Sequence, residues 1–232
     1  MMMWARRVFR PVFGLFLVAG MVSGGQAGGL VAGGESDCPV TAFERQEELE
    51  ERRLEVPGIR MVAGEGNALA IVYLAVMYDV GYAVKRDLEE AAYWYGKGID
   101  RNARELFLPL AFVYAEAGKD REARRMFDRA GEVYADRSPR SELEIVFGTY
   151  FSPEDVDASL CLRGVRERAN ASRLVWLEGL ANEGNRMAVS MMAMVYRDGI
   201  GVAPDAAKAN GWCRMLKDRE GTVFKWACPA DR

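Results

Sequence analysis

The chain contains no histidine. That removes Ser-His-Asp and Cys-His nucleophilic pairs and imidazole-ligated metals together. Chemistry is left to carboxylates, cysteines, methionines and one glycine-rich turn. Glu47-Glu48 and Glu89-Glu90 are adjacent acids, but such pairs on helices ordinarily form a solvated face rather than a general acid–base pair. Gly199-Ile200-Gly201 has the look of a phosphate loop. It follows a helical pattern instead of a strand, so the dinucleotide-binding mechanism does not apply. Met187, Met191, Met192 and Met194, four of twelve methionines, form either an adaptable binding stripe or core. Cys38, Cys161, Cys213 and Cys228 lack the close pairing of a thiolate metal site. No catalytic set, no metal site and no cofactor is expected, and the chain reads as a non-enzyme.

What positions these residues is a unit that occurs twice. Ala63 to Lys97 and Ala181 to Met215 align at a shift of 118 residues. Their matched pairs include Gly66/Gly184, Asn67/Asn185, Ala75/Ala193, Tyr78/Tyr196, Gly81/Gly199, Val84/Val202, Asp87/Asp205, Ala91/Ala209 and Trp94/Trp212. Recurrence at fixed internal spacing marks a repeat architecture. Ala70, Leu74 and Tyr78 at i, i+4, i+8 give a first helix one packing face. Gly81 supplies the positive φ that ends it. Asp87, with Glu90 three residues on, reads as an N-cap and capping-box partner for a second helix carrying Leu88, Ala91 and Trp94. In the second copy Lys208 replaces that glutamate.

The pattern closely resembles the Sel-one-like repeat (SLR), a branch of the tetratricopeptide (TPR) superfamily, of an exported bacterial type. Gly199, Gly201, Val202 and Asp205 match the family's Gly-x-Gly-Val-x-x-Asp turn, whereas Ala83 stands at the second glycine of the first copy, and Ala75 and Ala193 replace a usual glycine. The resemblance implies an all-α, right-handed α-solenoid of antiparallel helix pairs with N- and C-terminal capping helices. Clear repeats span 63–100 and 181–217, and degenerate ones 102–131 and 154–182.

In chain order, Arg6, Arg7 and Arg10 precede an apolar run from Val12 to Val22, and Gly25-Gln26-Ala27 supplies small residues. This is a signal peptide, residues 1–27, with cleavage after Ala27. Its removal takes the formal balance from 31 − 34 = −3 to 28 − 34 = −6, which disfavours nucleic acid and anionic membranes as partners. Residues 28–40 form a glycine-rich leader and 41–232 the solenoid. An acidic helix, roughly Ala42 to Glu55, is expected to end at Pro57-Gly58. Ser141 and Glu144 cap a helix through Tyr150, and Asn170 begins a later one. Four cysteines in an exported chain read as two disulfides, with three connectivities open. Cys213–Cys228, stapling the last helix to the tail, is favoured, and Cys38–Cys161 remains by elimination.

The expected function is therefore a periplasmic or secreted protein-interaction or scaffolding module in cell-envelope assembly or regulation. It would bind a peptide or partner helix and would have no membrane span after cleavage. By resemblance to TPR units aligned on Tyr78, Tyr114 and Tyr196, the concave positions are Leu69, Val72, Val76 and Asp79, then Glu105, Leu108, Phe112 and Ala115, then Met187, Ser190, Met194 and Arg197. That row is unusually apolar, so either a hydrophobic segment docks there or the chain's own helices fill it. The alternatives are a secreted factor binding a host protein and an envelope hydrolase on a repeat scaffold, for which the sequence offers no convincing nucleophile or carboxylate pair.

Overall fold

The computed structural model describes residues 46–147, 160–217 and 226–228. The chain divides into 1–34 and 35–232, and all described residues belong to the second part. The signal-peptide, leader and Cys38 expectations thus lie outside the described residues, as does Cys161's side chain. Among the described residues the structure is all helical. The α-helices are α1 (Gln46–Gly64), α2 (Ala68–Val80), α3 (Leu88–Asp100), α4 (Phe107–Glu116), α5 (Asp120–Val133), α6 (Arg140–Val146), α7 (Leu160–Asn182), α8 (Arg186–Asp198) and α9 (Ala206–Lys217), with a 3-10 turn at Arg104–Leu106. None is long and apolar enough to cross a membrane.

The architecture is an α-solenoid of helix pairs. The tightest pairs are α2/α3, α4/α5 and α8/α9, with α1 on α2, α4 on α3 and α7 on α8. The two copies of the repeat fold alike. Asn67 Oδ1 accepts from Ala70 N at 3.0 Å and Asn185 Oδ1 from Ala188 N at 3.1 Å. Gly81 and Gly199 close the first helices at φ 80° and 69°. Asp87 caps α3 through the N–H groups of Glu89 and Glu90, and Asp205 caps α9 through that of Lys208.

The reciprocal half of the capping box is absent. The Asp87 N–H donates to Tyr78 O at 3.0 Å and the Asp205 N–H to Tyr196 O at 2.8 Å. Glu90 turns instead to Trp94 Nε1 (3.1 Å) and Arg60 (2.5 Å). With that backbone N–H satisfied by a main-chain carbonyl in both copies, Lys208 can stand where Glu90 does, and its ammonium lies 4.8 Å from the Tyr196 ring centroid.

Where the family turn has glycine and this chain does not, the backbone keeps the glycine geometry. Ala83 has φ 56° against 71° at Gly201, and Asn102, at the glycine position following α3, has φ 68°. A left-handed alanine costs on the order of 1–2 kcal/mol, so tertiary packing is imposing the turn.

Three expected boundaries are corrected. Helix α1 does not stop at Pro57-Gly58 but runs through both to Gly64. Val56 and Ile59 pack against the core and Ala63 is buried. Burial of that stripe outweighs the hydrogen bond lost at the proline. Helix α6 begins at Arg140, whose N–H reaches Ser138 Oγ at 3.3 Å, and ends at Val146 with Phe147 as its C-cap, while 148–150 lie outside the described residues. Asn170 does not start a helix: α7 is continuous over 23 residues, and the Asn170 amide donates to Phe147 O at 3.0 Å.

The core is two adjoining clusters. One gathers Ile71, Leu74, Met77, Trp94 and Tyr95 around α2/α3. The other gathers Phe112, Phe127, Tyr134, Phe147, Leu177 and the methionines of α8. Met187, Met191, Met192 and Met194 are all buried there, so the methionine stripe is core.

Candidate functional site

The expected binding row runs along the first helix of each pair, where its residues share one side by register, except that Glu105 falls in the 3-10 turn before α4. Within α2, Leu69 is 76% exposed and Val72 half-buried, whereas Val76 and Asp79 are buried. In the middle unit Glu105 and Ala115 are half-buried, and Leu108 and Phe112 are completely buried. On α8, Met187, Ser190 and Met194 are buried and Arg197 is half-buried. The row is thus open at Leu69 and closed through its centre.

What closes it is the chain itself. Helices α6 and α7 lie against α4, and α7 also reaches α2. The Phe112 ring meets Phe147 edge-on at 5.8 Å and Trp176 at 5.4 Å, and Trp176 also meets Phe127 at 5.5 Å. Ser138 contacts the Met194 sulfur at 3.8 Å. Offset and edge-on aromatic contacts of this kind add to the burial term. The question left open by the sequence, an open row or a filled one, is answered as filled over these positions.

The grip on α7 is ionic. Arg173, 2% exposed, donates to Asp79 and to the Val146 carbonyl that ends α6, and through Nε to Glu116 at 3.1 Å. Arg86, in the turn after α2, donates to Asp79 O at 2.7 Å and to Glu116 at 2.7 Å. The Tyr95 hydroxyl sits 3.4 Å from the second Asp79 oxygen. Two guanidinium groups and two carboxylates make the cluster neutral, and each donor face of Arg173 is used. Burial by itself would favour a neutral Arg173; the charges of Asp79 and Glu116 nevertheless hold its pKa above the ordinary value. Burial first, and then the Asp79 charge, push the Tyr95 hydroxyl well up, so it stays a protonated donor.

The other end of the row is held differently. Arg197, at the repeat position of Asp79, makes a forked pair with Asp198 (2.7 and 3.0 Å), and Arg140 reaches Asp198 at 2.9 Å. Its Nη1 donates to Ala227 O at 2.6 Å and Trp226 O at 3.4 Å. The hydrogen bond from Arg197 is the chief cause that lowers the Asp198 pKa. The Trp226 indole N–H donates to Tyr134 O at 3.0 Å. Cys213 and Cys228 form a disulfide, as favoured from the sequence.

Sequence reading placed Asp79 and Arg197 in the row but missed their partners Arg173, Glu116, Arg86 and Trp226. One signal was present. A repeat position carrying an acid in one copy and a base in the other requires different partners in each. No cluster of three or more potential metal-ligating residues occurs among the described residues.

Against known proteins, the family model described as Sel1 repeat matches residues 68–102 and 186–218, the α2/α3 and α8/α9 pairs. The crystal structure of a Sel1 repeat protein from Oxalobacter formigenes is similar at 20% identity, covering 72% of this chain and 80% of that one, with a TM-score of 0.31. No curated protein matches the chain.

Proposed function

We propose that the protein is an exported protein-interaction module of the cell envelope. It docks a peptide or partner helix at the open end of its first-helix row, around Leu69 and Val72. Sel1 repeats generally mediate protein–protein interaction, and two of them are present. The observation that carries the reading is Leu69, a large apolar side chain left 76% exposed beside half-buried Val72, at one end of a row whose Val76, Leu108, Phe112, Met187 and Met194 are buried. An isolated exposed leucine is ordinary; here it continues a line of packing positions that the described residues leave uncovered at this end. The basic, apolar and small-residue pattern of residues 1–27 supports export, and the mildly acidic balance supports a protein partner over nucleic acid. The reading is one of binding and not of catalysis.

The test is crosslinking in intact cells with a photoreactive side chain at position 69, followed by mass spectrometry, beside Leu69→Asp and Val72→Asp. Capture of one envelope protein, lost in both aspartate variants at unchanged melting temperature, is the expected result. Equal capture by the aspartate variants removes the Leu69 end as the docking site. Recovery of the mature protein in the cytoplasmic fraction removes the export half of the reading.

A further inference from the structure

Two repeat positions anchor whatever fills the row at each end. In the first copy they are Asp79 and Tyr95; shifted by 118 residues they are Arg197 and Cys213. Asp79, with Tyr95 beside it, grips Arg173 of α7. Arg197 and Cys213 grip the strap 226–228, one through its carbonyls and the other through sulfur. The first grip is a buried ion cluster. The second differs in kind, because its covalent part can be opened by electron transfer.

We propose that the strap is the oxidised-state occupant of a peptide-binding subsite. Reduction of Cys213–Cys228 would free that subsite for a partner segment that takes the strap's turn and bears a tryptophan or comparable aromatic residue. The subsite has three parts. The Arg197 Nη1 aims at two successive backbone carbonyls, the Tyr134 carbonyl accepts an indole N–H, and the core cluster against which Trp226 is partly buried takes the ring. Asp198 orients the guanidinium and is itself held by Arg140, which leaves the donor edge of Arg197 pointing at the strap. Recognition is by main chain plus one aromatic, so it does not require the strap's own sequence elsewhere.

Both cysteines are partly exposed, which lets a dithiol reach the bond. Its first thiolate attacks one sulfur to give a mixed disulfide, and its second thiol displaces that sulfur. Two electrons and two protons pass to the protein, leaving two cysteine thiols and an oxidised cyclic dithiol. Once the bond is open, the covalent hold is gone, and the strap keeps the hydrogen bonds above, the burial of Ala227 and the packing of Trp226 and Cys228 against the core. It then competes with an external segment as a merely tethered ligand.

The experiment uses the full mature chain and a labelled peptide spanning residues 222–230 with Cys228→Ser. Fluorescence anisotropy is read for oxidised protein, for protein reduced by dithiothreitol, and for the Cys213→Ser/Cys228→Ser variant. The expected result is at least tenfold tighter binding to the reduced protein and to the double variant than to the oxidised protein. Arg197→Gln in the double variant should reverse that gain. Equal binding in the oxidised and reduced states, or none in either, overturns the proposal. Loss of helical structure on reduction, read by circular dichroism, also overturns it, because the bond would then be a structural staple. None of these results depends on docking at Leu69, so the two readings fail separately.

Discussion

Replacing Arg173 by methionine tests the ionic grip on α7. The side chain is 2% exposed, Asp79 1% and Glu116 12%. Methionine keeps most of the volume and removes every donor. Three acceptors then lose their partner: Asp79, Glu116 and the Val146 carbonyl. Arg86 stays 2.7 Å from Glu116 but 3.9 Å from Asp79, so it satisfies the first and only partly neutralises the second. Removing one member of a buried pair costs about 3–5 kcal/mol because the other charge is stranded. At about 2–4 °C per kcal/mol for a chain of this size, the melting temperature should fall by roughly 6–20 °C. Arg173→Lys should fall between, since an ammonium cannot serve three acceptors arranged around a planar fork. The double variant Asp79→Asn/Arg173→Met should recover much of the loss, because the stranded charge goes with its partner. Calorimetric or circular-dichroism melts of the four proteins form the assay. A melting temperature for Arg173→Met within about 2 °C of the parent would show that α7 is held by its apolar contacts alone, and the ionic account would be wrong.

Three further substitutions probe the turn and the buried acid. Ala83→Gly relieves a left-handed alanine (φ 56°) and should stabilise by about 0.5–1 kcal/mol. Gly201→Ala at the equivalent position, where a Cβ would lie 2.6 Å from Phe147 Cβ, should destabilise by about 2–4 kcal/mol in denaturant melts. Glu142 is buried, and burial raises its pKa despite Arg137 at 3.5 Å. A carboxyl whose folded pKa lies above its unfolded value binds its proton more tightly when folded. Its contribution therefore improves as pH falls through the folded pKa and is complete below about 4. Glu142→Gln should accordingly be more stable than the parent at pH 7, and the difference should shrink on acidification. A difference that widens toward low pH would reverse the sign and refute the argument.

The repeat was legible because its determinants are local. Asn67, Gly81 and Asp87 act on backbone groups within a few residues, so residue type and spacing suffice to place the helices and the turn. The Cys213–Cys228 bridge, 15 residues apart, was readable for a similar reason. Where one residue served two possible partners, the local rule failed. Glu90 matched a capping box, yet its carboxylate is taken by Trp94 and Arg60, the latter 30 residues away. Pro57 is a helix breaker by type but is overruled by the stripe that α1 buries. The row along Val76, Phe112 and Met194 shows the limit most plainly. Resemblance to TPR units, aligned on Tyr78, Tyr114 and Tyr196, placed these residues on corresponding helix positions, but whether water or protein faces them depends on α7 lying against α2 and α4. Arg173 is 94 residues from Asp79, and nothing in either local sequence specifies that pairing. Sequence by itself determined the helix pairs and their register, because those arise from hydrogen bonds and side-chain spacing along one stretch of chain. Only tertiary structure decided which face stays open, because burial belongs to segments brought together from distant parts of the chain.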